Sequence, residues 1–95
     1  MNKYEITVIV KPNLEEEAVT AEFAHVEELI ARFGGTVEKV DDWGKRRLAY
    51  EIQKLNEGFY RFFTVSADSG LPAEVEARLR LRENVLRYLI ISIEA

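Results

Sequence analysis

The hydrophobic period of this chain of 95 residues switches from two to about 3.6 and back, twice, and that alternation limits the fold more than any single motif does. Tyr4, Ile6, Val8 and Val10 recur at every second residue, which predicts a first strand with one apolar face. Lys11-Pro12-Asn13 interrupts it, and Asn13 is placed to cap a helix with Glu16 in the capping-box position. Glu15, Glu16 and Glu17 follow, where the helix dipole favours negative charge. Val19, Phe23, Val26, Ile30 and Phe33 then form one helical stripe, ended by Gly34-Gly35.

Val37 to Ile52 reads as a second strand bent at Trp43-Gly44, since a glycine inside a strand marks a bulge. Gln53 to Gly58 reads as a hairpin loop, followed by an aromatic-rich third strand from Phe59 to Ala67. Ser69-Gly70-Leu71 breaks the pattern, with Pro72 at the first position of a second helix. Val75 and Leu79 share a face of that helix, and Glu74–Arg78 and Glu76–Arg80 are spaced to pair along it. Val85 to Ile93 alternates again as strand four. The order βαββαβ, with right-handed crossovers, predicts an α+β ferredoxin-like sandwich over residues 1–95 as one domain. Four antiparallel strands would carry both helices on one face.

Such a sandwich leaves one sheet face uncovered. If Ile6, Val8 and Val10 face the helices, Ile9 faces out, and the same parity turns Tyr60 and Phe62 outward. In strand four either Tyr88 and Ile90 or Leu89, Ile91 and Ile93 face outward, and each set is too apolar for a solvated surface. An open face carrying Ile9, Tyr60, Phe62, Leu89 and Ile91 implies a partner, a second copy of the chain, or a C-terminus folded back over it. Base stacking by the aromatics has little support, because Phe59-Tyr60-Arg61-Phe62-Phe63 lacks the glycines of the RNA-recognition signature.

Charge narrows the partner. The chain is acidic at −4, but residues 1–42 hold four bases against ten acids, net −6, and residues 43–95 hold nine bases against seven acids, net +2. Six of those nine bases are arginines in two groups, Arg46-Arg47 and Arg78, Arg80, Arg82, Arg87. A basic face on an acidic chain is compatible with RNA. Lys45, Arg46 and Arg47 beside the expected bend, and Arg80, Arg82 and Arg87 at the helix-to-strand junction, are the candidate phosphate contacts. Their structural alternatives are an edge strand protected by charge and arginines complementing a helix dipole.

Catalysis finds no footing. The chain has no cysteine and one histidine, His25, so thiolate nucleophiles, cysteine zinc sites and multi-histidine metal sites are excluded. There is no P-loop and no G-x-G-x-x-G run, and the stretch after strand one, Lys11-Pro12-Asn13-Leu14, lacks the glycine and arginine of a phosphate-cradling acylphosphatase loop. No enzyme activity, metal or cofactor is expected. No apolar run approaches the roughly 20 residues of a membrane span, and Met1-Asn2-Lys3-Tyr4-Glu5 has no signal-peptide core, so the expected location is cytoplasmic with no membrane partner.

Lys3-Tyr4-Glu5, Pro12-Asn13-Leu14, Gly34-Gly35-Thr36-Val37-Glu38-Lys39-Val40, Trp43 through Ile52, Glu57-Gly58-Phe59-Tyr60 and Asn84 through Leu89 together resemble the bacterial small-subunit ribosomal protein six family, in nearly constant register. The run Gly44-Lys45-Arg46-Arg47-Leu48-Ala49-Tyr50 is the most specific part. The resemblance implies the same ferredoxin-like fold, a place in the ribosome, and binding to the central domain of small-subunit ribosomal RNA together with small-subunit ribosomal protein eighteen. It carries Lys45, Arg46, Arg47 and Arg87 over as RNA contacts. Lys3, Arg80 and Arg82 as RNA contacts, and Tyr60 and Phe62 on the partner face, rest on position and chemistry alone. The chain departs from the family at Glu51, where proline is frequent, and in stopping at Ser92-Ile93-Glu94-Ala95 where many members carry a charged tail. Arg61 stands where parity calls for an inward apolar residue. The competing expectation is a non-catalytic regulatory or interaction domain that self-associates through the open face.

Overall fold

A computed structural model describes residues 2–93. Its elements are β1 (Asn2–Val10), α1 (Glu16–Arg32), β2 (Thr36–Ile52), β3 (Leu55–Ala67), α2 (Leu71–Leu79) and β4 (Val85–Ile93). The four strands form one antiparallel sheet in the order β2-β3-β1-β4. This is the ferredoxin-like sandwich that the alternating periods predict.

The core lies between the sheet and the two helices. Ile6, Val8, Val10, Phe63 and Val65 of the central strands meet Phe23, Val26, Leu29 and Ile30 of α1 and Val75 and Leu79 of α2, all close to fully buried. Tyr88 and Ile90 pack against this core, and Leu89 and Ile91 face away from it, which decides the two alternatives for strand four.

The ends of α1 differ from expectation at one side and match it at the other. Asn13 does not cap the helix, because residues 12–14 form a turn and Glu15 takes the N-cap position, its carbonyl accepting the N–H of Ala18 at 2.9 Å. At the C-terminus Gly34 takes φ +85°. Its N–H donates to Ala31 and that of Gly35 to Ile30 at 2.8 Å, the paired bonds of a Schellman ending. Pro72 is the second residue of α2. The Glu74–Arg78 ion pair forms, whereas Arg80 lies just past the helix end and has no ion-pair partner among the described residues.

The β2–β3 hairpin departs most from the sequence reading. The expected six-residue loop is a two-residue turn, Gln53 and Lys54, both at positive φ (52° and 66°), and Ile52 pairs with Leu55. That is the backbone geometry of the turn whose twist matches a hairpin. The strands run past the end of β1, through a register irregularity between Arg47 and Ile52. The predicted bend at Trp43-Gly44 is present, with Gly44 at φ +70° and a register shift between Asp42 and Gly44.

Candidate nucleic-acid and partner interface

The end of the hairpin crosses the open sheet face. β2 and β4 are opposite edges of the sheet, yet the Arg87 guanidinium of β4 lies 5.6 Å from the ring centre of Tyr50 on β2. The two strands thereby enclose a groove of about 200 Å³ whose walls include Thr7, Ile9, Leu48, Ile52, Tyr60 and Leu89. Ile9 is accordingly not on an exposed surface as parity suggested. It does point away from the helices, but it is only 7% exposed, beneath the curled hairpin and beside Leu48, also 7% exposed. A Cβ on Gly58 would fall 2.5 Å from the Ile9 side chain, so the β3 backbone packs directly on it. The cover that sequence parity could not supply is the hairpin end.

What stays open on this face is Tyr50 (59% exposed), Leu89 (48%), Trp43 (47%) and Ile91 (41%). Half-buried Phe62 sits beside Trp43 with ring centres 4.7 Å apart, and Tyr60 continues the row at 6.5 Å from Phe62. Trp43 and Tyr50 belong to this surface, and the parity reading omitted both because β2 is bent where they lie.

The basic residues fall into distinct environments. Arg46 donates from Nε to the Trp43 carbonyl at 3.0 Å and lies 5.5 Å from its ring centre. Arg46 and Arg87 thus rest on aromatic rings, and among the described residues neither has a carboxylate at ion-pair distance. A guanidinium held on a ring keeps several N–H donors for an anion. Lys45 lies 5.5 Å from the Phe59 ring on the helix side, and Arg47 is exposed opposite Glu57. Lys3 is paired with Glu38 at 3.2 Å near the far end of the sheet. Arg80 is exposed past the end of α2.

Arg82 is committed elsewhere. Its Nη2 donates to Glu22 Oε2 at 2.8 Å and its Nε to Oε1 at 3.2 Å, and Asn84 Nδ2 donates to the same carboxylate at 3.2 Å. Glu22 is 5% exposed on α1. Burial pushes its carboxyl up, but the bonds from Arg82 and Asn84 and the nearby positive charge outweigh this and hold it below its ordinary value. The cluster ties α1 to the loop before β4, and the Asn84 carbonyl also accepts the Lys11 N–H at 2.9 Å. The sequence held one hint of it, a carboxylate three residues after Val19 and four before Val26 on the apolar stripe.

Arg61, unexplained by parity, points to the helix side as its position requires. Its guanidinium lies 4.4 Å from the Phe23 ring centre and Nη2 donates to Asp42 Oδ2 at 2.6 Å. Among the described residues no group of three or more carboxylates, histidines or cysteines could hold a metal, and no helix is long and apolar enough to cross a membrane.

Comparison with known proteins places these features in a family. The chain is 45% identical over 94 residues to the small ribosomal subunit protein bS6 of Clostridium acetobutylicum, covering 99% of both chains. It is 43% identical to bS6 of Clostridium botulinum, with 99% of this chain and all of the relative covered. The crystal structure of 30S ribosomal protein S6 from Thermotoga maritima superposes with a TM-score of 0.93 at 30% identity, covering 97% of this chain and 87% of that one. The C-terminal domain of the MgtC protein from Mycobacterium tuberculosis, at TM-score 0.65 and 16% identity, shares the fold alone. The sequence profile of ribosomal protein S6 matches residues 3–92, and the chain belongs to that family.

Proposed function

We propose that this chain, a structural component of the bacterial small ribosomal subunit by its family, binds the central domain of small-subunit ribosomal RNA together with small-subunit ribosomal protein eighteen, without catalysis. The observation that carries the reading is the open face. Leu89, Ile91 and Trp43 offer an apolar contact to a protein, and Arg46 and Arg87 beside them are positioned on rings with donors free for phosphate. A chain of net charge −4 neutralises few phosphates alone, so a basic protein partner on the same RNA supplies the rest. Lys45 and Arg47 extend the basic edge of β2, and Arg80 and Lys3 are outlying contacts. Arg82 serves indirectly, by holding the loop that leads into β4 and Arg87.

The test is a gel-shift titration of a central-domain RNA fragment with this protein, with protein eighteen, and with both. Tight binding only with both present supports the reading. A shift that protein eighteen produces unaided, unchanged by this chain, overturns it, as does no shift under any condition. Concentration-dependent sedimentation of the isolated chain in that last case would favour self-association through Leu89 and Ile91.

A further inference from the structure

One continuous series of contacts passes from the helix side of the sheet to the open face. It begins at Phe23 of α1, on whose ring the Arg61 guanidinium lies, and continues through the Arg61–Asp42 ion pair. The other carboxylate oxygen of Asp42 accepts the Gly44 N–H at 2.9 Å, within the β2 bulge where Gly44 holds φ +70°. Between these two residues Trp43 turns to the opposite face, against Phe62, and its carbonyl receives Arg46 Nε.

Stability alone is a poor explanation for arginine at position 61. Its neighbour on β1 is Val8, fully buried, and parity calls for an apolar side chain. The Arg61 Nε is buried without a hydrogen-bond partner, a penalty that leucine would not carry. What arginine adds is a charged donor that reaches Asp42 across the β2–β3 pair.

We propose that Arg61 is a positioning residue: through Asp42 it fixes the left-handed bulge at Gly44, and the bulge sets how Trp43 and Arg46 are presented on the open face. The role rests on the reading of Arg46 as an RNA contact. It differs from that reading in assigning function to two residues on the helix side of the sheet, which act through the bulge and not by touching RNA.

Trp43 is the sole tryptophan of the chain and reports on the bulge directly. In Arg61→Leu the Trp43 emission shifts to the red and its anisotropy falls in protein that still unfolds cooperatively, and Arg61→Lys restores most of both signals. In the gel shift with RNA and protein eighteen, Arg61→Leu weakens binding about fivefold, and adding Arg46→Ala to it weakens binding little further, since the two act in series. Unchanged emission and binding in folded Arg61→Leu overturns the proposal, and so do strictly additive effects of the two substitutions. If Arg61→Leu does not fold, Asp42→Asn, at an exposed position and of equal size, gives the same readouts in the same direction. Should the wild-type chain form no ternary complex, the reading of Arg46 fails, and the Trp43 emission of the variants still decides whether Arg61 sets the bulge.

Discussion

The two faces of the sheet treat arginine in opposite ways. On the helix side and its margins, Arg61, Arg78 and Arg82 are each paired with a carboxylate, Asp42, Glu74 and Glu22 respectively. On the open face Arg46 and Arg87 rest against Trp43 and Tyr50, and no described carboxylate is within ion-pair distance of either. The first arrangement directs the guanidinium at a carboxylate and, for Arg61 and Arg82, joins one element to another. The second holds its direction while leaving donors unused, which is what a contact to an anion needs. Glu74 meets Arg78 at local helical spacing, whereas at Arg61 and Arg82 the carboxylate comes from another element, so there the difference lies in what the fold brings alongside.

The strongest way to break this comparison is to remove apolar volume from each face in turn. Phe63→Ala, in a fully buried site, should cost about 4 kcal/mol in chemical denaturation. Leu89→Ala, half exposed on the open face, should cost less than about 0.5 kcal/mol. Equal costs would mean that the open face is packed in solution by something other than a partner.

The carboxylate-paired arginines make a second contrast, next in size. Glu22→Ala leaves Arg82 and Asn84 without their acceptor and should cost about 2 kcal/mol. The pH dependence has a definite sign. Glu22 is held below its ordinary value of 4.5 in the folded chain, so its contribution is complete above that value and lost as pH falls through and beneath it. Glu22→Gln should therefore be less stable than wild type at pH 7, and the gap should narrow as pH falls below 4.5, measured by denaturation across a pH series. A gap that stays constant across the series would assign the loss to packing.

Binding separates the two classes of arginine more finely. Arg46→Ala with Arg87→Ala should leave stability within about 0.5 kcal/mol of wild type, weaken the ternary RNA complex about tenfold and lower its salt slope by about one to two. Arg82→Ala should do the reverse, lowering the unfolding midpoint and leaving the salt slope as it is. A reduced slope in Arg82→Ala would return that residue to the RNA surface.

Why the sequence distinguishes some of these features and not others follows from their range. Tyr4-Ile6-Val8-Val10 and Val19-Phe23-Val26-Ile30 are local periodicities, and they are enough to fix element types, the αβ order and the inward faces. Parity places Ile9 on the correct face, but a period says nothing about what later covers that face, and the cover is a hairpin more than forty residues away at its turn. The turn itself is not legible locally, because Gln53-Lys54 lacks the Asn-Gly or Asp-Gly signature of its class and Asn56 and Glu57 break the apolar alternation. Arg82 looked like Arg87 because both lie at the helix-to-strand junction, and the acceptor that sets Arg82 apart is 60 residues distant. Family resemblance reached the fold and a place in the small ribosomal subunit, and side-chain geometry shows which arginines are paired with carboxylates and which lie on rings.

The smallest effect concerns the hairpin end that covers Ile9. Lys54 holds φ 66° with a side chain, a conformation glycine adopts at no steric cost. Lys54→Gly gains that relief in the folded state and loses some to the greater freedom of glycine in the unfolded chain, a net stabilisation of about 0.5 kcal/mol. The lysine is exposed and is not among the proposed RNA contacts, so RNA binding with protein eighteen should be unchanged. A stabilised hairpin with unaltered binding would mean that the end of β2 acts as a fixed lid on Ile9. Weaker binding in a stabilised variant would mean instead that the hairpin end must shift to admit the partner, and that the groove beneath it is part of the docking surface.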